Sequence, residues 1–155
     1  MTPPVVSNAS PLIALEQIGQ LPILKGLFGT VAIPPAVARE IAPTVSPPEW
    51  IQQQQLTQPI GPLILGTSLG AGESEAIALG LEIQSRFVVL DDRAARRLAQ
   101  ALGLSVIGTL GVLLAAKRRN LLPAVRPCLD GLLNHDFRIA PSLHAQVLHD
   151  AGEDA

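Results

Sequence analysis

The chain has few aromatic residues, a single cysteine and no long hydrophobic run. Of its 155 residues, three are Phe, one is Trp and none is Tyr, which argues against the stacking surfaces of single-strand-binding proteins. Cys128 alone cannot form an internal disulfide, and it fits a reducing compartment. No run approaches the roughly 18 apolar residues that a transmembrane helix needs, and the N-terminus lacks a signal-peptide pattern. We therefore expect a cytoplasmic protein with no membrane partner.

Charged residues are also scarce, at 15% of the chain against 48% for apolar residues. Such a composition indicates either a tightly packed core or an apolar surface that a partner covers. The net charge of −2 gives no general attraction to nucleic acid, so such binding would need a local basic patch. A length of 155 residues predicts one domain, residues 1–155, with a sizeable core.

Short apolar runs alternate with helical patterns along the chain. Four runs predict buried strands: 4–7, 30–33, 87–90 and 104–107. The alternation indicates a parallel sheet with helices on both faces. Residues 43–62 interrupt it with five prolines, and there we expect one turn of helix and a short edge strand near Leu56.

Capping residues predict where several helices begin and end. Ser10 and Thr109 are expected to be helix N-caps, Ser68 begins a predicted helix entry, and Asn120 is expected to be a left-handed helix end. The last third of the chain adds helices over 121–133 and 141–148.

Two strand-to-helix junctions carry the first candidate site residues. Asn8 follows the first strand, and Asp91 and Asp92 follow the third run. In a parallel sheet these positions share the carboxyl edge, where ligands and metals bind. For Asn8 the alternative is an Asx turn. For the two acids the alternative is that one caps the next helix while the other faces water.

Three glutamates complete the acidic set. Glu73 and Glu75 lie about 200° apart on one predicted helix, with Glu73 on its apolar side, and Glu40 lies on an earlier helix. Both Glu73 and Glu75 could simply favour a helix N-terminus, but a buried glutamate is costly unless it is paired or metal-bound. Oxygen ligands of this kind suit Mg²⁺ or Mn²⁺.

Basic residues form two groups along the chain. Arg93, Arg96 and Arg97 follow the acids, while Lys117, Arg118 and Arg119 end a later helix, where cations are also favoured by the helix dipole. Either group could contact phosphate.

The three histidines form no i, i+4 metal pair. The glycine-rich segment 66–72 completes neither a P-loop nor a dinucleotide fingerprint.

Five short segments, taken in order, resemble one family. They read VSNASPLI (6–13), VAREI (37–41), GESEAIAL (72–79), LDDRAAR (90–96) and GLSVIGTLG (103–111). Together they resemble the PIN-like nuclease domains, and more closely a prokaryotic branch related to the ribonuclease toxins of toxin–antitoxin modules. The resemblance extends from about residue 5 to residue 153.

The resemblance implies an α/β/α sandwich with a central parallel sheet and Mg²⁺- or Mn²⁺-dependent hydrolysis of RNA. By position, the metal-binding acids fall on Glu40, Glu75 and Asp91 or Asp92, and Glu73 would support Glu75. Asn8 stands where the family has its first aspartate. Because Asn8 is neutral, three readings stay open: a weaker or selective nuclease, a nuclease that relies more on Glu73 and Asp92, and a module that binds without cutting.

The expected partners follow from the same resemblance. RNA is the expected substrate, with Arg93, Arg96 and Lys117 as candidate phosphate contacts. An antitoxin-like protein and a second copy of the chain are the expected protein partners. A receiver-like signalling domain is the remaining alternative, but such domains place an acid pair after the first strand, where this chain has only Asn8.

Overall fold

The computed structural model describes residues 4–58, 60–65 and 69–154. Its five short strands are β1 (Val5–Ser7), β2 (Val31–Ile33), β3 (Ile51–Gln53), β4 (Val88–Val89) and β5 (Val106–Ile107). They form one sheet in the order β3-β2-β1-β4-β5, and every neighbouring pair is parallel. The predicted parallel α/β sheet is therefore confirmed.

Helices connect the strands and cover the sheet. In the described part of the chain they are α1 (Ala9–Gln17), α2 (Ile23–Phe28), α3 (Pro35–Ile41), α4 (Ile60–Leu65), α5 (Ala71–Ile83), α6 (Arg93–Ala101), α7 (Thr109–Arg118), α8 (Arg126–Asn134) and α9 (Pro141–Asp150). None of these helices is both long and apolar enough to cross a membrane.

Two apolar cores lie on opposite faces of the sheet because successive strand residues point to opposite sides. In β1, Val5 belongs to the larger core, which includes side chains of α1, α2, α7, α8 and α9. Val6 belongs to the smaller core, with side chains of α5 and α6. Burial on both faces explains why the strands read as continuous apolar runs without alternation.

The edge strand lies earlier than the sequence predicted. It is β3, at Ile51–Gln53, and Leu56 lies three residues beyond it. Only Ile51 of the three is buried, and the two glutamines face solvent. An edge strand with one apolar residue gives almost no pattern, so the apolar Leu56 was the misleading signal. The predicted helix start at Ser68 lies outside the described residues, and α5 begins at Ala71.

Two other helix starts also differ from the prediction. Helix α1 begins at Ala9 with Asn8 as its N-cap, two residues before the expected cap at Ser10. Helix α8 begins at Arg126, so residues 121–125 are not helical as predicted. Pro127 accounts for this second difference, because proline fits the first turn of a helix but would disrupt its interior. The left-handed Asn120, at φ +61°, is confirmed.

The C-terminus is tied to the rest of the fold by Glu153. Its Oε2 accepts hydrogen bonds from Lys117 Nζ and the Val125 amide, both at 2.7 Å, and its Oε1 accepts one from the Arg126 amide at 3.1 Å. Burial alone would raise the pKa of Glu153, but these hydrogen bonds outweigh it and lower the pKa to about 2. The carboxylate thus joins the chain end after α9 to α7 and to the first turn of α8.

We expect Glu153→Gln to destabilise the protein by roughly 2 kcal/mol at pH 7. The folded pKa of about 2 lies below the ordinary value of 4.5, so the stabilisation is complete above about pH 5 and disappears as the pH falls towards 2. Urea unfolding at pH 7 and pH 3 measures this. The difference from wild type should shrink at pH 3, while the exposed control Glu49→Gln changes little at either pH. A difference that does not depend on pH would contradict the assignment.

Candidate functional site

The candidate residues follow strands or begin helices at the carboxyl edge of the sheet. Ser7 of β1 pairs with Val89 of β4, and the Asn8 amide donates to the Val89 carbonyl at 3.0 Å. Asn8 and Asp91 therefore follow neighbouring parallel strands at the same edge. Glu40 lies on α3, which follows β2 on the other side of β1. The order of the strands thus places three distant parts of the sequence side by side.

Asn8 has a buried oxygen without a partner. The residue is only 3% exposed, and its Oδ1 accepts no hydrogen bond from the described residues. Although Asn8 occupies the N-cap position of α1, its side chain makes no capping hydrogen bond, so the Asx-turn alternative is not what holds it. Leaving a buried acceptor unpaired costs about 1–3 kcal/mol. A donor or a cation at this point would offset that cost.

Gly72 brings Asn8 and Glu40 together. A Cβ atom at Gly72 would lie 2.6 Å from Glu40 Oε1 and 3.0 Å from Asn8 Oδ1, so a larger residue would displace the end of the Glu40 side chain and crowd Asn8. The Gly72 amide, in the first turn of α5, donates a hydrogen bond to the Glu40 carboxylate. In the sequence, Gly72 stood out as part of a glycine-rich segment and of the segment 72–79 that carries the resemblance, but this role was missed. The nearby acid Glu73 was the available signal.

Glu40 experiences the negative charge of its neighbours. Although the residue is exposed overall, its carboxyl group is partly desolvated against Gly72, and this raises its pKa. The charge of Glu73 raises the pKa further, and Glu75 adds a smaller increase, which the Gly72 amide and Arg39 oppose. The negative charges of Glu73 and Glu75 therefore repel the charge of Glu40. A bound cation would relieve this repulsion.

Glu73 and Glu75 each also support a helix. Glu75 Oε1 accepts a hydrogen bond from the Ala36 amide at 2.9 Å, which ties α5 to the first turn of α3. Glu73 bends back over the start of α5, where its Oε2 lies 2.6 Å from the position of a Cβ at Gly70, the N-cap residue. Carboxylates at helix N-termini are favourable. These contacts agree with the helix-supporting alternative, yet both charges still act on Glu40.

Asp91 holds the start of α7. Its Oδ1 accepts from the Thr109 amide at 2.8 Å, and its Oδ2 accepts from Thr109 Oγ1 at 2.6 Å. The prediction that Thr109 caps this helix was wrong: Gly108 is the N-cap, and Thr109 is the first helical residue. The capping side chain comes from the neighbouring strand junction, which local sequence does not reveal.

The remaining candidates have partners of their own or face solvent. Asp92 is exposed, caps α6 and accepts from the Ala95 amide at 2.9 Å. Arg96 Nη1 donates to the Leu90 carbonyl at 3.2 Å. Lys117 Nζ binds Glu153 Oε2 at 2.7 Å and the Ala151 carbonyl at 2.6 Å. Arg93 is exposed at the start of α6.

The side-chain atoms that could bind a metal at this edge are all oxygens, which suits a hard divalent cation. Across the described residues, no three His, Cys, Asp or Glu side chains converge closely enough to hold a metal ion by themselves. Asn8 adds an oxygen at this edge, since its unpaired Oδ1 lies 3.0 Å and Glu40 Oε1 lies 2.6 Å from the Cβ position of Gly72. An unpaired oxygen beside Glu40, whose carboxylate is repelled by two neighbouring acids, fits a cation better than it fits packing alone.

Comparison with known families agrees with this geometry. The family DUF3368, described as a PIN domain, matches residues 4–153. No curated protein and no solved structure matches the chain. PIN domains generally use divalent metals, and the match suggests a nuclease. Since the match covers nearly the whole sequence, the chain belongs to the DUF3368 family of PIN domains.

Proposed function

We propose that the protein is a divalent-metal-dependent ribonuclease of the toxin–antitoxin type. The observation that carries the proposal is the buried, unpaired Oδ1 of Asn8 next to Glu40 at the first turn of α5. The carboxylates of Glu73 and Glu75 add negative charge there. Asp91 belongs to the same edge of the sheet, and Asp92 is a further candidate ligand.

The proposed ligands of Mg²⁺ or Mn²⁺ are Asn8, Glu40, Glu73, Glu75 and Asp91. When bound, such a cation activates water and stabilises the negative charge of phosphoryl transfer. The protein contributes fixed positions: Gly72 holds the Glu40 carboxylate through its amide, and Thr109 fixes both Asp91 oxygens. Each carboxylate oxygen keeps a further lone pair after accepting one hydrogen bond. Arg93 and Arg96 are proposed to hold the RNA phosphates.

The proposed setting is the cytoplasm, with an antitoxin-like protein and a second copy of the chain as partners. Support for protein partners comes from the low charge content and from exposed leucines on two helices that pack together, Leu63 of α4 and Leu81 of α5. Exposed apolar surface is typical of protein interfaces.

A module that binds without cutting is the second candidate. It is favoured by the hydrogen bonds that already engage three acids, namely Glu75 with Ala36, Asp91 with Thr109 and Asp92 with Ala95. The neutral Asn8 favours it as well. The two candidates differ in whether the acids hold a cation.

Calorimetric titration with Mn²⁺ distinguishes these two candidates. We expect one site in the wild type and at least about tenfold weaker binding in Glu40→Gln, because that variant removes the charge beside Asn8 Oδ1. Glu49→Gln is the matched control, since Glu49 is exposed and precedes β3, at the amino end of the strands and not at their carboxyl end. Wild-type protein that binds nothing at millimolar Mn²⁺ would contradict the nuclease proposal and favour the binding module.

Asn8→Asp should act in the opposite direction in the same titration. A carboxylate at this buried position adds repulsion with Glu40, Glu73 and Glu75, so we expect a melting temperature several degrees lower without metal. Mn²⁺ should bind about tenfold more tightly than to wild type and restore the stability. The control Asn120→Asp adds the same charge at an exposed turn. Equal effects of the two variants would argue against a cation at Asn8.

Cleavage of an RNA substrate tests Asp91. We expect Asp91→Asn to lower the cleavage rate about 100-fold, and Thr109→Val, which keeps the carboxylate but removes a hydrogen bond to it, to lower the rate about tenfold. Single-turnover rates in Mn²⁺, with melting temperatures measured beside them, provide the comparison. Equal reductions in both variants would show that Asp91 acts only by holding α7.

A further inference from the structure

A second feature begins at Asp91 and extends away from the acidic site. It is a cleft of about 630 Å³, within the range of small-ligand sites in proteins. One wall is formed by α7, through Leu110 and Leu114. The other wall is formed by α9, whose residues 143, 146, 147 and 150 recur at helical spacing and therefore lie on one face. We call it the α7–α9 cleft.

Three arginines line the α7–α9 cleft: Arg93, Arg96 and Arg138. Arg93 and Arg138 are exposed and make no hydrogen bond or ion pair with the described residues, while Arg96 binds only the Leu90 carbonyl. A guanidinium group without a protein partner is well suited to a phosphate, which it can hold through two hydrogen bonds.

The cleft also contains two acids, Asp91 and Asp150, and both accept hydrogen bonds from neutral groups. Both oxygens of Asp91 accept from Thr109, and Asp150 Oδ1 accepts from Gln146 Nε2 at 2.8 Å. Three arginines against two acids still leave the lining of the cleft positively charged, although the whole chain carries −2. This is the local basic patch that nucleic-acid binding requires in this chain.

The cleft also contains one of the four aromatic residues of the chain, Phe137. It is half-buried between α8 and α9 and precedes Arg138 directly. An aromatic ring beside phosphate-binding arginines is the combination that holds an unpaired nucleotide, because the base stacks on the ring. One ring is too few for a stacking platform, but it suffices for a single base.

We propose that the α7–α9 cleft binds one unpaired nucleotide of the RNA strand, next to the phosphate that lies at the acidic site. The base packs against Phe137 and the apolar wall of α7, and Arg93 and Arg138 hold its flanking phosphates. This proposal rests on the proposed function for its substrate class. It adds the segment before α9, with Phe137 and Arg138, to the proposed RNA-binding surface.

Fluorescence anisotropy with a short labelled single-stranded RNA of mixed sequence tests this proposal. The full chain is used in EDTA, so that binding is measured without cleavage. We expect the double variant Arg93→Ala/Arg138→Ala to bind about tenfold or more weakly. Its plot of log affinity against log salt should be shallower by about 0.7 for each phosphate that is no longer neutralised. A purely structural role would not change this slope.

The matched control is Arg97→Ala/Arg118→Ala, which removes the same charge from exposed positions on α6 and α7 that do not line the cleft. It should bind close to wild type. Phe137→Leu, which keeps an apolar side chain but removes the ring, should weaken binding about tenfold without changing the salt slope. Unchanged melting temperatures would show that the variants fold.

Three results would overturn the proposal. They are equal weakening by both double variants, no binding of the RNA by wild type, and displacement of the RNA by polyglutamate at equal charge concentration, which would indicate an acidic protein partner instead. Binding that follows the expected pattern while no RNA is cleaved in Mn²⁺ would support this proposal and contradict the proposed nuclease activity, so failures of the two are distinguishable.

Discussion

The position of β1 between β2 and β4 is the constraint on which the rest of the site depends. The three residues of β1 are all buried, and the strand pairs with a parallel strand on each side. Because parallel strands end at the same edge, this pairing brings Asn8, the helix of Glu40 and Asp91 together from distant parts of the sequence. The main-chain bond from Asn8 to Val89 fixes the register between the two junctions.

Around this edge, the same polar groups support the fold and form the candidate site. Glu75 joins α5 to α3, and Asp91 joins the end of β4 to α7. Such anchoring holds the carboxylates in fixed positions, which is what a metal-dependent reaction needs from a protein. Asn8 differs from these acids, because its Oδ1 is buried and has no hydrogen-bond partner among the described residues. A structural role explains the first group well and leaves Asn8 unexplained.

The acidic site and the α7–α9 cleft meet at Asp91, and in the proposed function they have different roles. One gathers negative charge that a cation would neutralise, and the other offers unpaired arginines beside an aromatic ring. The separation matters for the proposed RNA substrate, because a phosphate backbone is repelled by bare carboxylates. A positive cleft leading away from them would give the proposed strand a favourable path to the edge of the sheet.

The sequence by itself determined the parallel α/β fold, the junctions at Asn8 and Asp91, and the family, because these depend on local apolar runs and on short motifs. It placed the edge strand near Leu56 and a helix start at residue 121, where the local pattern was weak or interrupted by proline. Only the tertiary structure decided the partners: Thr109 for Asp91, Ala36 for Glu75, and Gly72 between Asn8 and Glu40. These contacts join residues far apart in the chain, and the packing of helices on the sheet sets them.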